Sequence, residues 1–488
     1  MSVKSISVGR PSGEGAVAGF EFSSQRWPRS LRVLLLVLVD GLAMTSTGVA
    51  AYYLWALPVR GQRPDLYLAL LPLLPVFLLA NAVWGLYPGF GAGAVETLRR
   101  LSLSSSLIFL SLAAISFALK LEPVYSRMTF AIAWLLTLIL LPLARFGLLS
   151  WAQRWKWWGE PCAVVGTGVL AARTVRALRS ALSLGYRPIG ALRVGETGVT
   201  AVEGVPVIGD LDDHADLIDH RVRVLLVADS GLTDRNETID ELRHDFRHVI
   251  VIRDHQALPV DGLEVRNLGG VIGVEFVNQL QRRRNRAVKR AMDVVLAGLL
   301  LLVTAKLWLL AALMIRLTSR GPALYFQERE GLFGRPFRLI KLRTMYFDAD
   351  ARLERHLEQD AEARREWETS RKLRRDPRII PWIGTLLRRF SLDELPQLWN
   401  VLRGEMSLVG PRPFPEYHLE DFSASFRDLR RRVRPGLTGL WQVMVRSEGG
   451  IEAQEAYDSY YIRNWSLWMD LYILGKTLAA VVRGRGAY

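Results

Sequence analysis

Two adjacent carboxylates, Asp393 and Glu394, sit in the run Ser391-Leu392-Asp393-Glu394-Leu395-Pro396-Gln397, and Gly410-Pro411-Arg412-Pro413 follows soon after. The flanking prolines leave the backbone of Arg412 little freedom, which suits a guanidinium that clamps a phosphate. Upstream, Lys341 and Arg343 are two residues apart, so on a strand they share one face, and Arg329 adds a further cation. Carboxylates beside fixed cations, downstream of an apolar stretch, suit phosphoryl chemistry on a lipid. A plainer reading stands beside this one. Ser391 followed by Glu394 is also a capping box, with Ser391 as N-cap, Glu394 bonding back to it and Asp393 facing the positive helix end. Each cation likewise has a surface ion pair as its alternative.

The rest of the chain must position these groups. At 488 residues it is too long for one ordinary core. Half of it is apolar, yet the formal charge is +15 and the pI about 10.1. Together these point to a membrane protein with a basic cytoplasmic side rather than to a nucleic-acid binder. The single cysteine, Cys162, excludes an intrachain disulfide and reads as buried filler. His244 and His248 have helical spacing but no evident third ligand.

Residues 1–30 are polar and read as a loose cytoplasmic tail. Four apolar stretches follow at 31–57, 66–86, 101–119 and 128–149, each near the roughly 20 residues that cross a bilayer. Basic residues favour both ends of this bundle on the cytoplasmic side. Asp40 within the first stretch is expensive in a membrane and needs a partner. Residues 155–275 read as a Rossmann-like α/β domain, with strands at 162–165, 188–192, 205–208, 222–227 and 248–252. Its turn carries Gly166 and Gly168 in a G-x-G-x-x-A pattern that could hold a diphosphate. Arg193 stands where an NAD-binding chain usually places an acid, which favours a structural or regulatory domain.

A basic block at 282–290 then abuts the apolar run 294–315, with Lys306 in its middle and Arg316 and Arg320 beyond. Full crossing would place Lys306 near the bilayer centre at a cost of roughly 3 kcal/mol. A re-entrant helix at 291–318 satisfies both the charge and the basic flanks. The mixed-charge stretch 347–378 reads as a solvated helix pair, and 465–478 as an interfacial amphipathic helix or a packed core helix.

Taken in order, Lys289-Arg290 with Asp293, Gly321-Pro322, Gln327 with Arg329 and Gly331, Lys341 to Met345, Asp376-Pro377-Arg378, the 391–397 run, Asn400, 410–413, Arg434-Pro435-Gly436 and Trp441-Gln442-Val443 closely resemble the bacterial polyprenyl-phosphate phosphoglycosyl transferases. The resemblance covers about 282–488. With the segments ahead of it the chain is similar to the large form of that family, and Asn464 to Trp468 most resembles its galactose phosphotransferases of O-antigen synthesis.

The resemblance implies a mixed membrane fold: a four-helix transmembrane region at 31–150, the Rossmann-like domain, and an α/β catalytic domain with a re-entrant helix and interfacial helices. It implies transfer of a sugar 1-phosphate from a UDP-sugar to undecaprenyl phosphate, with Asp393 as nucleophile, Glu394 as a ligand of Mg²⁺, and Arg412, Lys341, Arg343 and Arg329 around the phosphates. Membrane lipids are partners, both soluble domains face the cytoplasm of a bacterial inner membrane, and the oligomeric state is open, a homodimer included. Two departures are evident: members usually carry a Ser-Pro kink in the membrane helix, and Val303-Thr304-Ala305-Lys306 has none; and the family's small-Gly-Arg sequence after Trp-Gln-Val is here Met444-Val445-Arg446. Two rivals stand. One is a non-catalytic regulator of polysaccharide assembly with a nucleotide-sensing domain, and the other is a dinucleotide-dependent reductase or epimerase.

Overall fold

The computed structural model describes residues 29–118, 126–152, 154–155, 158–180, 184–195, 198–211, 222–229, 231, 236–252, 263–267, 272–276, 279–370, 373, 376–445 and 450–482. The expected tail at 1–30 therefore falls almost wholly outside them. The chain divides into two compact units, Met1–Gln256 and Ala257–Tyr488.

Among the described residues of the first unit, four helices are long and apolar enough to cross a membrane: Ser30–Arg60, Pro64–Val83, Ala94–Ala118 and Arg127–Ala152. The first contains a π-helical segment, Tyr52–Ala56. The second tightens into a 3-10 turn at Leu71–Leu73, where Pro72 has no N–H to continue the ladder. Asp40 is fully buried between helices. It accepts hydrogen bonds from the Tyr87 hydroxyl at 2.6 Å, Arg145 at 3.2 Å and the Asn81 amide at 3.4 Å. Arg145 also donates to the Leu86 carbonyl. The costly residue is thus paired, as a buried charge must be.

The same unit carries a six-stranded sheet in the order β3-β4-β2-β1-β5-β6, built from β1 (Glu160–Val165), β2 (Tyr186–Arg193), β3 (Ala201–Val202), β4 (Val205–Asp210), β5 (Val224–Val227) and β6 (His248–Val251). All neighbours pair parallel except β3 with β4. Alternate residues of β1 feed two cores. Cys162 and Val164 pack towards the helix Val169–Ser180, and Ala163 and Val165 towards the helix Asn236–Asp245. This is the expected doubly wound layout, with strand order reversing at β1. Gly166 (φ +112°) lies beyond β1, where a Cβ would come 2.8 Å from the Ala228 carbonyl oxygen. Close packing alone requires that glycine.

In the second unit the hairpin β7 (Leu263–Asn267) with β8 (Ile272–Phe276) precedes the helix Arg283–Thr318. This helix is 36 residues without interruption. The break expected of a re-entrant helix at 291–318 is absent from it, because no proline removes a ladder bond near 303–306 and Thr304 returns its hydroxyl to the Leu300 carbonyl. One face packs along its own domain through Asp293, Ala297, Ala311 and Ile315. The opposite face leaves Val295, Leu302, Val303 and Leu317 65–78% exposed, and Lys306 is exposed too. Both ends are tied down. Asp293 accepts from the Ser407 hydroxyl and the Leu408 amide, while Ser319 and Arg320 offer carbonyls to Arg343.

The hairpin β9 (Leu324–Glu330) with β10 (Pro336–Leu342) and the parallel pair β11 (Ser407–Val409) with β12 (Gly436–Thr438) form the remaining sheets. The helices Ala349–Gln359 and Ala361–Ser370 match the expected solvated pair. The last helix, Leu467–Val482, buries Met469, Asp470 and Ile473, so its first half is a core element rather than an interfacial one.

Candidate active site

Three segments bring charge together at one cavity. The first is β10, in which Leu339 and Lys341 project to the same side and both line the cavity. Asn400 fixes this strand to the helix Gln397–Arg403: its amide donates to the Arg338 carbonyl at 2.8 Å and its oxygen accepts from the Ile340 N–H at 3.1 Å.

The second segment holds the carboxylates. Leu392–Glu394 is a 3-10 turn between the helices Ile383–Arg389 and Gln397–Arg403. Ser391, the residue expected as N-cap, is instead left-handed (φ 53°) and makes no side-chain cap bond. The capping box therefore does not form: an N-cap needs extended backbone, and the sharp reversal out of the preceding helix takes that freedom away.

The third segment is Gly410 to Pro413. β11 and β12 approach so closely that a Cβ on Gly436 would meet the Gly410 nitrogen at 2.1 Å. Gly436 N–H donates to the Pro411 carbonyl, and buried Arg430 donates to the Arg412 carbonyl, each at 2.8 Å. The backbone of Arg412 is thus held from both sides.

The side chains converge on Glu394. Its Oε1 accepts from Lys341 Nζ at 2.8 Å and from Arg412 Nη2 at 3.4 Å. Burial pushes this carboxyl up, but the two cations outweigh it and hold it at about 2. Asp393 behaves oppositely. Burial and the charge of Glu394 raise it to about 6, against the pull of Lys341 and Arg388. The positive end of a helix would lower Asp393, whereas burial, and after it the like-charged neighbour Glu394, raises it. Asp393 makes no side-chain hydrogen bond to another residue among the described residues.

The cavity, about 210 Å³, is lined by Arg329, Lys341, Glu394, Gln397, Arg412 and His418, among others. Asp393, next to the wall residue Glu394, is not itself among the walls, and neither is Arg343. Arg343 lies one residue past the end of β10, so strand alternation no longer directs it beside Lys341, and its guanidinium holds the Ser319 and Arg320 carbonyls at 3.0 and 2.8 Å. Three residues escaped the sequence reading. Arg388, bonded to the Thr344 hydroxyl at 2.9 Å, is an electrostatic neighbour of Asp393. Gln397 is 3% exposed, lines the cavity, and its Nε2 has no partner among the described residues. His418 comes from a separate helix. Arg388 stands five residues before Asp393, a proximity that only the left-handed turn at Ser391 explains.

Among the described residues no group of three or more His, Cys, Asp or Glu side chains is placed to hold a metal. In the first unit, Gly166 and Gly168 stay at the β1 turn, where Gly168 has open space around it.

Residues 284–484 match the family model described as bacterial sugar transferase, and residues 84–251 match one described as a CoA-binding domain. The UDP-galactose-lipid carrier transferase of Erwinia amylovora is 36% identical over 390 residues, which is 78% of this chain and 80% of that protein. The chain belongs to the bacterial sugar transferase family. The undecaprenyl-phosphate galactose phosphotransferase of Salmonella typhimurium is 33% identical to this transferase over 371 residues, covering 75% of this chain and 77% of that one. The UDP-glucose:undecaprenyl-phosphate glucose-1-phosphate transferase of Caulobacter vibrioides is 45% identical over 208 residues, 41% of this chain and 72% of that one. Membership makes the chain an enzyme and sets aside the non-catalytic regulator.

Proposed function

We propose that this transferase moves a sugar 1-phosphate from a UDP-sugar to undecaprenyl phosphate, with Asp393 as the nucleophile. The observation that carries this is the convergence of Lys341 and Arg412 on Glu394, beside a carboxylate, Asp393, that no other residue hydrogen-bonds among the described residues. In the first step an Asp393 oxygen attacks the sugar-bearing phosphorus. The bond to the bridging oxygen breaks, UMP leaves, and an acyl phosphate joins enzyme to sugar. In the second step an oxygen of the lipid phosphate attacks the same phosphorus and expels the Asp393 carboxylate.

Two anions must approach each other in both steps. Arg412 and Lys341 screen that repulsion, and Arg329 adds a third cation to the cavity wall. Oε2 of Glu394 accepts no hydrogen bond among the described residues, so Glu394 with the substrate diphosphate could complete the mostly oxygen and water shell that Mg²⁺ takes. Bound there, the ion would neutralise charge developing on the departing phosphate.

The helix Arg283–Thr318 supports delivery of the lipid. Both ends are anchored to one domain and the uncovered face is apolar apart from Lys306, which suits a helix lying along the membrane surface better than one crossing it. Trp382 (90% exposed) and Phe347 (78% exposed) are further large exposed rings of the same unit. The four apolar helices of the first unit would span the inner membrane, with the soluble domains on the cytoplasmic side where UDP-sugars occur. Galactose is the proposed sugar because it appears in the names of the Erwinia amylovora and Salmonella typhimurium relatives, which match over 78% and 75% of this chain.

UMP release measured with undecaprenyl phosphate, Mg²⁺ and a panel of UDP-sugars tests the proposal. UMP is expected from UDP-galactose. Release only from UDP-glucose would overturn the sugar assignment, and none from any donor would overturn the reaction.

A further inference from the structure

A second cavity, formed wholly within the first unit, has the chemistry of an anion site. We propose that it binds a phosphate-bearing ligand at the end of the helical bundle. It measures about 580 Å³, within the roughly 300–1,000 Å³ of small-molecule sites. One wall is the loop that joins two of the apolar helices, including Gly89 and Phe90, and the floor is the starting edge of the sheet, opposite the Gly166 turn.

Arg223 and Arg247 give the site its charge. They immediately precede β5 and β6, which pair parallel with Val224 opposite His248. The two arginines are therefore register neighbours, about 4.8 Å apart at the backbone, and both line the cavity. The His248 N–H donates to the Arg223 carbonyl at 3.0 Å, which fixes their relative position. Neither guanidinium has a hydrogen-bond or ion-pair partner among the described residues. The one acid in the wall, Glu160, is already committed to Arg32 at 2.9 Å. Two unneutralised guanidinium forks side by side fit the oxygens of one phosphate group.

The walls are formed in advance. Gly91 N–H donates to the Leu184 carbonyl at 2.9 Å, and the Arg32 guanidinium lies 4.8 Å from the centre of the Phe90 ring. A Cβ on Gly185 would come 2.7 Å from Phe90, and one on Gly91 2.8 Å from the Tyr186 hydroxyl. The loop and the sheet edge cannot separate without losing this fit. Because the loop connects the helices Pro64–Val83 and Ala94–Ala118, the cavity opens where the apolar helices end. A lipid headgroup and a soluble phosphate can both reach such a place, and they share the group that the arginines recognise.

Native mass spectrometry of the full chain in detergent separates the sources. Short-chain phosphatidylglycerol, short-chain phosphatidylcholine and inorganic phosphate are each titrated against wild type, Arg223→Gln/Arg247→Gln, and the charge-matched control Arg60→Gln/Arg63→Gln at the far hairpin turn, with thermal melting to confirm folding. One ligand should be retained by wild type and control and bound at least tenfold more weakly by Arg223→Gln/Arg247→Gln, the loss of one charge-assisted contact being worth about that factor. Retention of phosphatidylglycerol without free phosphate assigns a lipid headgroup, and retention of free phosphate assigns a soluble anion. Equal binding by wild type and the Arg223/Arg247 variant, equal loss in the control, or no retention of either phosphate ligand overturns the site.

Discussion

Asp470 and Asp393 are both acidic residues of the second unit set among cations, yet one is saturated and the other is not. Asp470 is fully buried and takes hydrogen bonds from Lys289 at 2.7 Å, Tyr461 at 2.8 Å and Trp465 at 3.0 Å. Lys289 and Tyr461 also reach the Val409 carbonyl, so this cluster holds the strand that leads into Arg412. Asp393 is half-buried, sits beside a second carboxylate, and has Lys341 and Arg388 near it without a direct bond. A carboxylate with both oxygens bonded to neighbouring side chains is a fastener. One that is charged, screened and bonded by no other residue is poised to react.

Substitution should separate these roles. Asp393→Asn is expected to lower UMP release at least about 10⁴-fold, roughly 5.5 kcal/mol of barrier, because the nucleophile is gone. Its melting temperature at pH 7 should hold or rise, since burial already disfavours the Asp393 charge there. Asp470→Ala should do the reverse, destabilising the fold by about 3–5 kcal/mol in denaturant titrations by stranding Lys289. Turnover per folded molecule should stay measurable, and a loss as complete as that of Asp393→Asn would erase the distinction.

Arg412→Ala removes one of the two cations on Glu394, and about a 10²-fold fall in kcat/KM is expected. The pH profile is a smaller lever. Asp393 must be ionised to attack and titrates at about 6, whereas Glu394 is held at about 2. Activity should therefore fall roughly tenfold per pH unit below about 6, and a flat profile from pH 5 to 8 would remove Asp393 from the first step. Arg343→Lys should change KM for the UDP-sugar less than about twofold while lowering the melting temperature, because a lysine cannot bridge the Ser319 and Arg320 carbonyls. A large KM effect would return Arg343 to the site.

Several elements were legible because local composition dictates them. Every expected strand of the Rossmann-like domain appears within about two residues, since short apolar runs between turn residues have few other uses. Cys162 is buried filler, and the charged stretch after Phe347 forms two exposed helices. Other features depend on contacts distant in sequence. The spacing of Lys341 and Arg343 puts both on one face only within a strand, and this strand ends at Leu342, so only Lys341 faces Glu394. Ser391 reads as a cap in isolation, but the turn forces it left-handed, and that turn allows Arg388 to approach Asp393.

Residue types and their order are already written in the chain: an apolar half, a basic balance, a glycine-turn domain, and paired carboxylates ahead of a proline-held arginine. Those follow from propensity, periodicity and backbone restriction, all local properties of the chain. Packing of distant segments sets which carboxylate is committed to cations and which is left to react, lets the long apolar helix run unbroken along its domain, and makes Arg343 a structural anchor. Burial, neighbouring charge and hydrogen-bond saturation are properties of surroundings, and surroundings are assembled from residues far apart in the sequence.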